Sequence, residues 1–274
     1  MCRLFGFRAS VPSAVHRSLV RERNALRAQS SEHPDGWGLA WYVGGEPQVA
    51  RGLGPAFQDD DFEALASYVS SDAVLAHVRK ASVGRIAVEN THPFDEGRWV
   101  FAHNGTVPEW DALRAGVEGL LPPERLARLA GTTDSERCFQ LFLAELERGG
   151  RDPHDPALPL DAVLDALARA TAQVVTACGA QNPSLTFLCT NGRLLAASRR
   201  GRTLFYSHDK APGVAHPEAD EKVRRGEPGL CHLLVASERI SDDDVWLEVP
   251  EGALLGVDAS LRLTLRPPAV SQAA

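Results

Sequence analysis

A cysteine stands at position 2, directly after the initiator methionine. A thiolate is the strongest nucleophile among ordinary side chains, but it requires a base or a lowered pKa. Because cysteine is small, we expect removal of Met1, which would give Cys2 a free α-amino group with an ordinary pKa of about 7.7–8.0. That amine can accept the thiol proton, so one residue would supply both nucleophile and base. The alternative is a small buried cysteine at the start of a strand.

The tripeptide His103-Asn104-Gly105 ends an apolar stretch that is typical of a strand. A tetrahedral intermediate needs hydrogen-bond donors aimed at its oxyanion. The side-chain amide of Asn104 and the backbone N–H of Gly105 are two such donors, and a glycine lets the backbone approach closely. The alternative is a plain Asn-Gly turn, which is what Asn191-Gly192 is predicted to be.

Two charged residues stand where they can bind the two ends of a free amino acid. Arg79 ends the apolar stretch AVLAHVR, and an arginine at a strand end can hold a carboxylate through two hydrogen bonds. Asp134 lies in the first turn of a predicted helix and can bind an ammonium group. The alternatives are a surface ion pair for Arg79 and a favourable helix-dipole interaction for Asp134.

Metal and cofactor sites are not predicted. The nine histidines form no HExxH motif and no close cluster with cysteine. The chain has neither a GxxxxGK[ST] loop nor a GxGxxG motif after a strand. The turns DGWG at 35–38 and NTHPF at 90–94 are predicted to shape a pocket rather than to do chemistry.

The elements that must position these residues begin with strands. Alternating and buried apolar stretches predict strands at 1–8, 37–43, 48–51, 73–79 and 99–103. Helices are predicted over 12–29, where Pro12 suits a first helical turn, and over 59–70, which has acidic residues in its first turn.

Helices and then strands follow in the second half of the chain. Thr133 and Glu136 have the spacing of a capping box, and apolar residues repeat with helical spacing after them and again over 160–177. Strands are predicted at 185–190 and 193–198, which form a hairpin, and at 203–207, 231–237, 245–249, 253–257 and 261–265. Two packed sheets with helices outside would bury this many apolar strands. The polar stretch 208–230 is predicted to be a long mobile loop.

Composition is that of a soluble globular protein. The chain has 274 residues, 44% of them hydrophobic, and a net charge of −7. Lysine occurs only at three positions, so no nucleic-acid surface is expected. The N-terminus lacks the apolar stretch of an export signal, and five widely spaced cysteines are typical of reduced, intracellular thiols. We therefore expect a cytoplasmic protein that does not span a membrane.

The order of these motifs resembles a known family. Cys at position 2, then DGWG, HVRKAS, NTHP, HNG and TDSE are similar to the glutaminase domain of class II glutamine amidotransferases, which are N-terminal nucleophile hydrolases. The motif-bearing part covers 1–148. The stretches LTFLCTNGRLLAASRR and VASERISDDDVWLEVPEGALL are similar to stand-alone members, among them the YafJ-like proteins and the amidohydrolase of ergothioneine biosynthesis.

The resemblance implies a fold and a set of roles. The fold is α+β, a four-layer α/β/β/α sandwich of two antiparallel sheets, which agrees with the order of predicted elements. It forms one domain over 1–266, completed by 149–266, with a frayed tail at 267–274. The implied catalytic residues are Cys2 as nucleophile, with Asn104 and Gly105 as the oxyanion hole, and the implied substrate-binding residues are Arg79, Ser82 and Asp134.

The implied activity is cleavage of the γ-glutamyl amide bond of glutamine or of a γ-glutamyl conjugate through a thioester on Cys2. Synthase-linked members carry Trp where this chain has Lys80, and no synthase domain is expected here. The alternatives are a glutaminase subunit that supplies ammonia to a separate synthase, and a non-catalytic binding protein of the same fold. The expected partner is a small-molecule substrate, with neither nucleic acid nor membrane.

Overall fold

The computed structural model describes residues 2–214 and 229–268. Met1, most of the predicted loop at 208–230 and the end of the predicted tail lie outside these residues. The strands are β1 Arg3–Ala14, β2 Trp37–Val43, β3 Glu46–Gly52, β4 Ser70–Val78, β5 Phe94–Glu96, β6 Trp99–Thr106, β7 Ser184–Thr190, β8 Leu195–Ser198, β9 Phe205–Ser207, β10 His232–Ala236, β11 Leu247–Glu248, β12 Leu254–Val257 and β13 Leu263–Arg266.

These strands form two sheets in which every described pair is antiparallel. The first sheet has the order β11-β9-β10-β1-β4-β2-β3, and the second has the order β13-β12-β8-β7-β6-β5. The α-helices are α1 Leu26–Gln29, α2 Asp60–Tyr68, α3 Trp110–Glu118, α4 Pro123–Leu126, α5 Asp134–Arg148 and α6 Leu160–Cys178. No helix among the described residues is long and apolar enough to cross a membrane.

Three apolar layers hold the sheets and helices together. The layer between the sheets contains Leu75 and Leu188, and a second layer joins the six-stranded sheet to α3, α5 and α6. The third joins the seven-stranded sheet to α2, where Trp37 meets Phe62 edge to face with ring centroids 5.2 Å apart. Because both faces of each sheet are covered, the strands are apolar on both faces. The four-layer arrangement predicted from the sequence is confirmed.

Side-chain alternation along the strands decides which residues point between the sheets. In β1, Leu4 packs between the sheets, whereas Phe5 and Phe7 pack against the helices. In β4 Leu75 faces inward, and in β6 Ala102 does so. Side chains alternate between the two faces of a strand with a period of two. Cys2 is two residues from Leu4, Arg79 is four from Leu75, and Asn104 is two from Ala102, so all three are on the face between the sheets. The fold thus places them on facing sheets.

The helix predicted over 12–29 is wrong. Strand β1 continues to Ala14, and its end pairs with β4 through Ser13 and Ser71 after an irregularity in the register. Residues 17–21 form one π-helical turn, and an α-helix occupies only Leu26–Gln29. Pro12 lies in the irregular part of the strand, where its missing N–H costs no ladder hydrogen bond. Pairing with β4 outweighs the local helical preference.

Most other predicted elements are confirmed within a few residues. The Gly44-Gly45 turn joins β2 and β3, and Asn191-Gly192 lies in the tight connection between β7 and β8. Thr133 caps α5 by accepting the N–H of Glu136. The carboxylate of Glu136 binds the N–H groups of Ala130 and Gly131 instead, so only half of the capping box forms. Strand β5 and helices α3 and α4 were not predicted from the sequence.

Candidate active site

Cys2 lies immediately before β1, beside the backbone of the segment that follows β4. Its Sγ is 3.4 Å from the backbone nitrogen of Lys80 and 3.5 Å from the carbonyl oxygen of Lys80. Cys2 is partly buried, whereas the other four cysteines are buried. Burial raises the pKa of the Cys2 thiol, and the Lys80 hydrogen bond and the charge of Arg79 only partly oppose this effect. The thiol is therefore protonated near neutral pH and needs a base to become a nucleophile.

Arg79 follows β4, and its guanidinium group is hydrogen-bonded to the backbone of residues 83–85. It donates hydrogen bonds to the carbonyl oxygens of Val83 at 3.0 Å, Gly84 at 3.3 Å and Arg85 at 3.2 Å. The side chain is buried and forms no ion pair with a carboxylate among residues 2–214 and 229–268, which argues against the surface ion pair. A guanidinium has five N–H donors, and these three bonds leave two for a ligand.

The two turns predicted to shape a pocket hold the segment around Arg79. The side chain of Asp35 accepts the N–H of Ala81 at 2.8 Å, and the backbone N–H of Asp35 donates to the Arg79 carbonyl at 3.0 Å. Asn90, which is fully buried, donates to the Arg85 carbonyl at 3.1 Å and accepts the N–H of Thr132 at 2.8 Å. The second turn therefore connects the Arg79 segment to the residues that precede α5.

Asn104 lies on β6, and its side chain reaches across to the other sheet. Its Nδ2 donates to the hydroxyl oxygen of Ser237 at 3.2 Å, and the same oxygen accepts the N–H of Leu4 at 2.9 Å. Asn104 is thus linked through Ser237 to Leu4 of β1, two residues after Cys2. A simple turn is excluded, because Asn104 and Gly105 pair with Thr186 and Leu185 inside the sheet.

Gly105 occupies a position with no room for a side chain. A methyl group there would overlap the carbonyl oxygen of Ser184 and the ring of His103. The imidazole of His103 is itself fixed, with Nδ1 2.9 Å from the Ser135 hydroxyl and Nε2 2.9 Å from the Ser184 carbonyl. The glycine is therefore required by the close approach of β6 and β7.

Asp134 is the first residue of α5 and is buried. One carboxylate oxygen accepts the N–H of Val107 at 2.7 Å, and the other accepts the N–H of Ser135 at 2.9 Å. These bonds connect the helix to the residues just after β6. Its negative charge raises the pKa of the Cys2 thiol, whereas that of Arg79 lowers it, so both charges act at the nucleophile.

Ser82 connects the Arg79 segment to the end of β6. Its hydroxyl lies 2.9 Å from the hydroxyl of Thr106, which in turn donates to the Gly105 carbonyl at 2.6 Å. Ser82 and Thr106 line a cavity of about 480 Å³ that also borders the start of α3. The structure thus brings together all six predicted site residues, directly or through a neighbour.

Two buried histidines near the site were not singled out in the sequence. His77 precedes Arg79 by two residues on the same strand face, and its ring lies 4.3 Å from that of His92 between centroids. Burial lowers the pKa of His77 to about 3, so its ring is neutral. Within residues 2–214 and 229–268, no histidine hydrogen-bonds the Cys2 thiol. None of these described histidines is therefore positioned to take the proton of the Cys2 thiol.

Metal ligation finds no support in the described part of the chain, which contains no group of three or more His, Cys, Asp and Glu residues arranged to hold an ion. Ser237, Thr106 and Val107 contact the site residues directly but were not predicted from the sequence. Of these, Ser237 lies farthest along the chain from the residue that it contacts. The alternation in β10 could have indicated it, because Leu233 and Val235 point between the sheets and Ser237 follows with the same period.

The chain is similar to several known proteins, in two cases over more than 90% of its length. The chain is 27% identical to the Escherichia coli (strain K12) protein YafJ, over 92% of this chain and 95% of that protein. It is 29% identical to the gamma-glutamyl-hercynylcysteine sulfoxide hydrolase of Mycobacterium tuberculosis (strain CDC 1551 / Oshkosh), over 94% of this chain and 93% of that enzyme. The chain is also 29% identical to the probable glutamine amidotransferase DUG3 of Saccharomyces cerevisiae over 56% of its length. The aligned region covers about half, 48%, of that protein.

A solved structure and a family model extend the comparison over nearly the whole chain. A glutamine aminotransferase class-II domain protein from Silicibacter pomeroyi superposes with a TM-score of 0.66 at 26% identity, over 98% of this chain and all of that one. The family model described as "Glutamine amidotransferases class-II" matches residues 1–272. The chain therefore belongs to the class II glutamine amidotransferase family and is an enzyme that acts on amide bonds.

Proposed function

We propose that the protein hydrolyses the γ-glutamyl amide bond of a γ-glutamyl conjugate through a thioester on Cys2. The observation that carries this proposal is the convergence of Cys2, Arg79 and Asn104 at one end of the space between the two sheets. The Cys2 Sγ contacts the backbone of Lys80, the residue after Arg79, and the Ser237 hydroxyl links Asn104 to Leu4. A nucleophile, a cation and an amide donor are thereby connected through adjacent backbone. These are the groups that amide cleavage on an amino-acid-like substrate requires.

The first step needs a base for the Cys2 thiol. Removal of Met1 gives Cys2 an α-amino group, which takes the thiol proton directly or through one water. The Sγ then forms a bond to the γ-carbonyl carbon, and the carbonyl electrons move onto the oxygen. The N–H donors of Asn104 and Gly105 stabilise that oxyanion. The C–N bond breaks as the departing nitrogen takes the proton from the α-amine.

The second step releases the acyl group. Water attacks the thioester carbonyl, the same amine takes a proton from the water, and the oxyanion is again stabilised by the Asn104 amide. The C–S bond breaks, glutamate leaves and the Cys2 thiol regains its proton. Arg79 binds the α-carboxylate of the γ-glutamyl group, Asp134 binds its α-ammonium, and Ser82 contacts the carboxylate. Both charged groups are already held by backbone hydrogen bonds, so little ordering is needed when substrate binds.

A conjugate is favoured over glutamine as the substrate. The mycobacterial relative that aligns with 94% of this chain is named as a gamma-glutamyl-hercynylcysteine sulfoxide hydrolase. YafJ also aligns with nearly the whole chain, 92% of it. Lys80, whose backbone touches the nucleophile, is exposed where synthase-linked members have tryptophan. These features support hydrolysis of a larger leaving amine rather than transfer of ammonia.

A substrate panel tests this choice. Purified protein is assayed against glutamine and a series of γ-glutamyl amides, including γ-glutamyl-cysteine derivatives, and kcat/KM is measured for each. We expect the best conjugate to exceed glutamine by about tenfold or more, since contacts to one added group are worth roughly 1–3 kcal/mol. Preference for glutamine, with activity that appears only when a co-purifying synthase is added, would instead establish an ammonia-supplying subunit.

Arg79→Ala is expected mainly to raise KM. The variant loses a charge-assisted hydrogen-bonded contact to the substrate carboxylate, worth about 1.5–3 kcal/mol, which corresponds to roughly 10- to 150-fold. Steady-state kinetics on the best γ-glutamyl substrate measure the effect. Arg85→Ala is the matched control, because the Arg85 side chain is 77% exposed and pairs only with Glu89 among its described ionic partners. An unchanged KM in Arg79→Ala would remove the proposed carboxylate-binding role.

A further inference from the structure

The hydroxyl of Ser237 lies at the junction between the two sheets. Ser237 directly follows β10, is 1% exposed and belongs to neither the nucleophile strand nor the strand of Asn104. Its Oγ accepts hydrogen bonds from the Leu4 N–H at 2.9 Å and from Asn104 Nδ2 at 3.2 Å. One oxygen atom therefore links the backbone beside Cys2 to the side chain of Asn104.

The backbone of Ser237 is held firmly enough to make this link rigid. Its N–H donates to the Leu4 carbonyl at 3.1 Å, and its carbonyl accepts the hydroxyl of Thr203 at 3.0 Å. Together with the Oγ contacts, these bonds fix both the main chain and the side chain of the serine. A hydroxyl held in this way can define the orientation of whatever it contacts.

The amide of Asn104 depends on that contact for its orientation. Asn104 is buried, and its Oδ1 makes no hydrogen bond within residues 2–214 and 229–268. Among the described residues, Ser237 forms the hydrogen bond to this amide and accepts one of the two Nδ2 hydrogens. The other hydrogen remains for a ligand. Without the serine, the amide could rotate about its last side-chain bond, which has a broad torsional preference.

We propose that Ser237 is a positioning residue that fixes the Asn104 amide as an oxyanion donor across the interface between the sheets. This inference rests on the proposed function. Oxyanion donors stabilise the transition state only when they are aimed in advance at the developing charge. Ser237 therefore contributes to kcat through Asn104, without touching the substrate.

A double-mutant cycle on a chromogenic γ-glutamyl p-nitroanilide tests the proposal. Ser237→Ala is expected to lower kcat about tenfold with little change in KM, because the amide remains but loses its fixed direction. Asn104→Ala lowers kcat further, and the double variant is expected to equal Asn104→Ala within about twofold, since Ser237 has then nothing left to orient. Losses that multiply in the double variant would overturn the inference.

Alkylation of Cys2 by iodoacetamide separates positioning from a general structural role. This reaction forms no oxyanion, so its rate in Ser237→Ala, followed by mass spectrometry of the Cys2 peptide, is expected to stay at the wild-type value. A parallel fall in alkylation and turnover would mean that Ser237 acts by holding the Cys2 strand, and would refute the proposal. Ser237→Cys, which keeps the volume but is a weak acceptor, serves if the alanine variant folds poorly, with the same expectations.

Ser71→Ala is the matched control. Ser71 is also buried and accepts a backbone N–H, that of Tyr42 at 3.1 Å, in β4 at the end away from Arg79. Its loss is expected to affect stability but not kcat. A loss of kcat in Asn104→Ala without one in Ser237→Ala would overturn the positioning role of Ser237 and leave the proposed function unaffected. If Asn104→Ala also kept its activity, the oxyanion role of Asn104 would fail together with the inference about Ser237. The proposed function itself would fail only if the wild-type protein did not cleave γ-glutamyl amides.

Discussion

Replacing Cys2 with alanine is expected to abolish turnover of γ-glutamyl amides, with a loss of kcat on the order of 10⁴ or more. The variant keeps the binding groups Arg79 and Asp134 but has no atom that can form the thioester. Removal of a nucleophile leaves only the acceleration that binding and the oxyanion donors provide. The measurement is kcat by sensitive product detection, with thermal unfolding to show that the fold is retained.

A labelling experiment assigns the loss to Cys2 chemistry. A glutamine-like electrophile is expected to modify Cys2 and none of the other four cysteines, because those are buried. Cys231→Ala is the matched control among these cysteines. Activity that persists in Cys2→Ala, or an electrophile that labels a different cysteine, would refute the proposed mechanism. Failure to label any residue under conditions that label a known glutaminase would favour the binding-protein alternative.

The state of the N-terminus provides an independent check on the base. Intact mass of the native protein is expected to show the loss of Met1, because the mechanism needs the α-amine of Cys2. Burial raises the pKa of the thiol, so at neutral pH the proton must be taken by a neighbouring group. Full activity in protein that retains Met1 would show that another group serves as the base.

Replacing Asn104 with alanine is expected to lower kcat by about 10²–10³, the usual cost of losing one oxyanion donor. KM should change little, because the donor acts on charge that develops only in the transition state. Steady-state kinetics and thioester formation in single-turnover experiments on the same γ-glutamyl substrate measure the effect. The rate of acylation is expected to fall together with kcat.

Asn182→Ala is the matched control for Asn104→Ala. Asn182 is exposed, and its Oδ1 accepts a hydrogen bond from the Arg200 guanidinium at 3.0 Å on the surface. Its substitution is expected to leave both kcat and KM unchanged. If Asn104→Ala kept wild-type kcat, the oxyanion role would be wrong, and the Ser237 contact would have only a structural meaning.

The candidate chemistry and much of the fold could be predicted from the sequence. Residue types at Cys2, Arg79 and the HNG motif indicate the groups that amide cleavage needs, and their order along the chain indicates the family. The strands could be predicted because covered sheets require apolar residues on both faces. The hairpin at Asn191-Gly192 and the cap at Thr133 are local signals whose physics lies within a few residues.

Only the tertiary structure decided features that depend on distant partners. The stretch 12–29 has local features of a helix, yet residues 13 and 14 join β1 because β4 offers them backbone partners. The hydrogen bond from the Ala81 N–H to the Asp35 side chain, which holds the segment after Arg79, also depends on folding, because the two residues are 46 positions apart. Long-range pairing contributes free energy that a short window of sequence does not contain.

Ser237 shows the same division at the site itself. In the sequence it is one serine in the stretch VASERI, and the alternation of β10 indicates only the direction of its side chain, not the residues that it contacts. Folding brings β10 next to β1 and the two sheets face to face, so that its hydroxyl meets Leu4 and Asn104, which lie 233 and 133 residues away along the chain. The sequence by itself determined which groups can react. The packing of two sheets determined which of them meet, because a hydrogen bond needs a partner within about 3 Å whatever the separation along the chain.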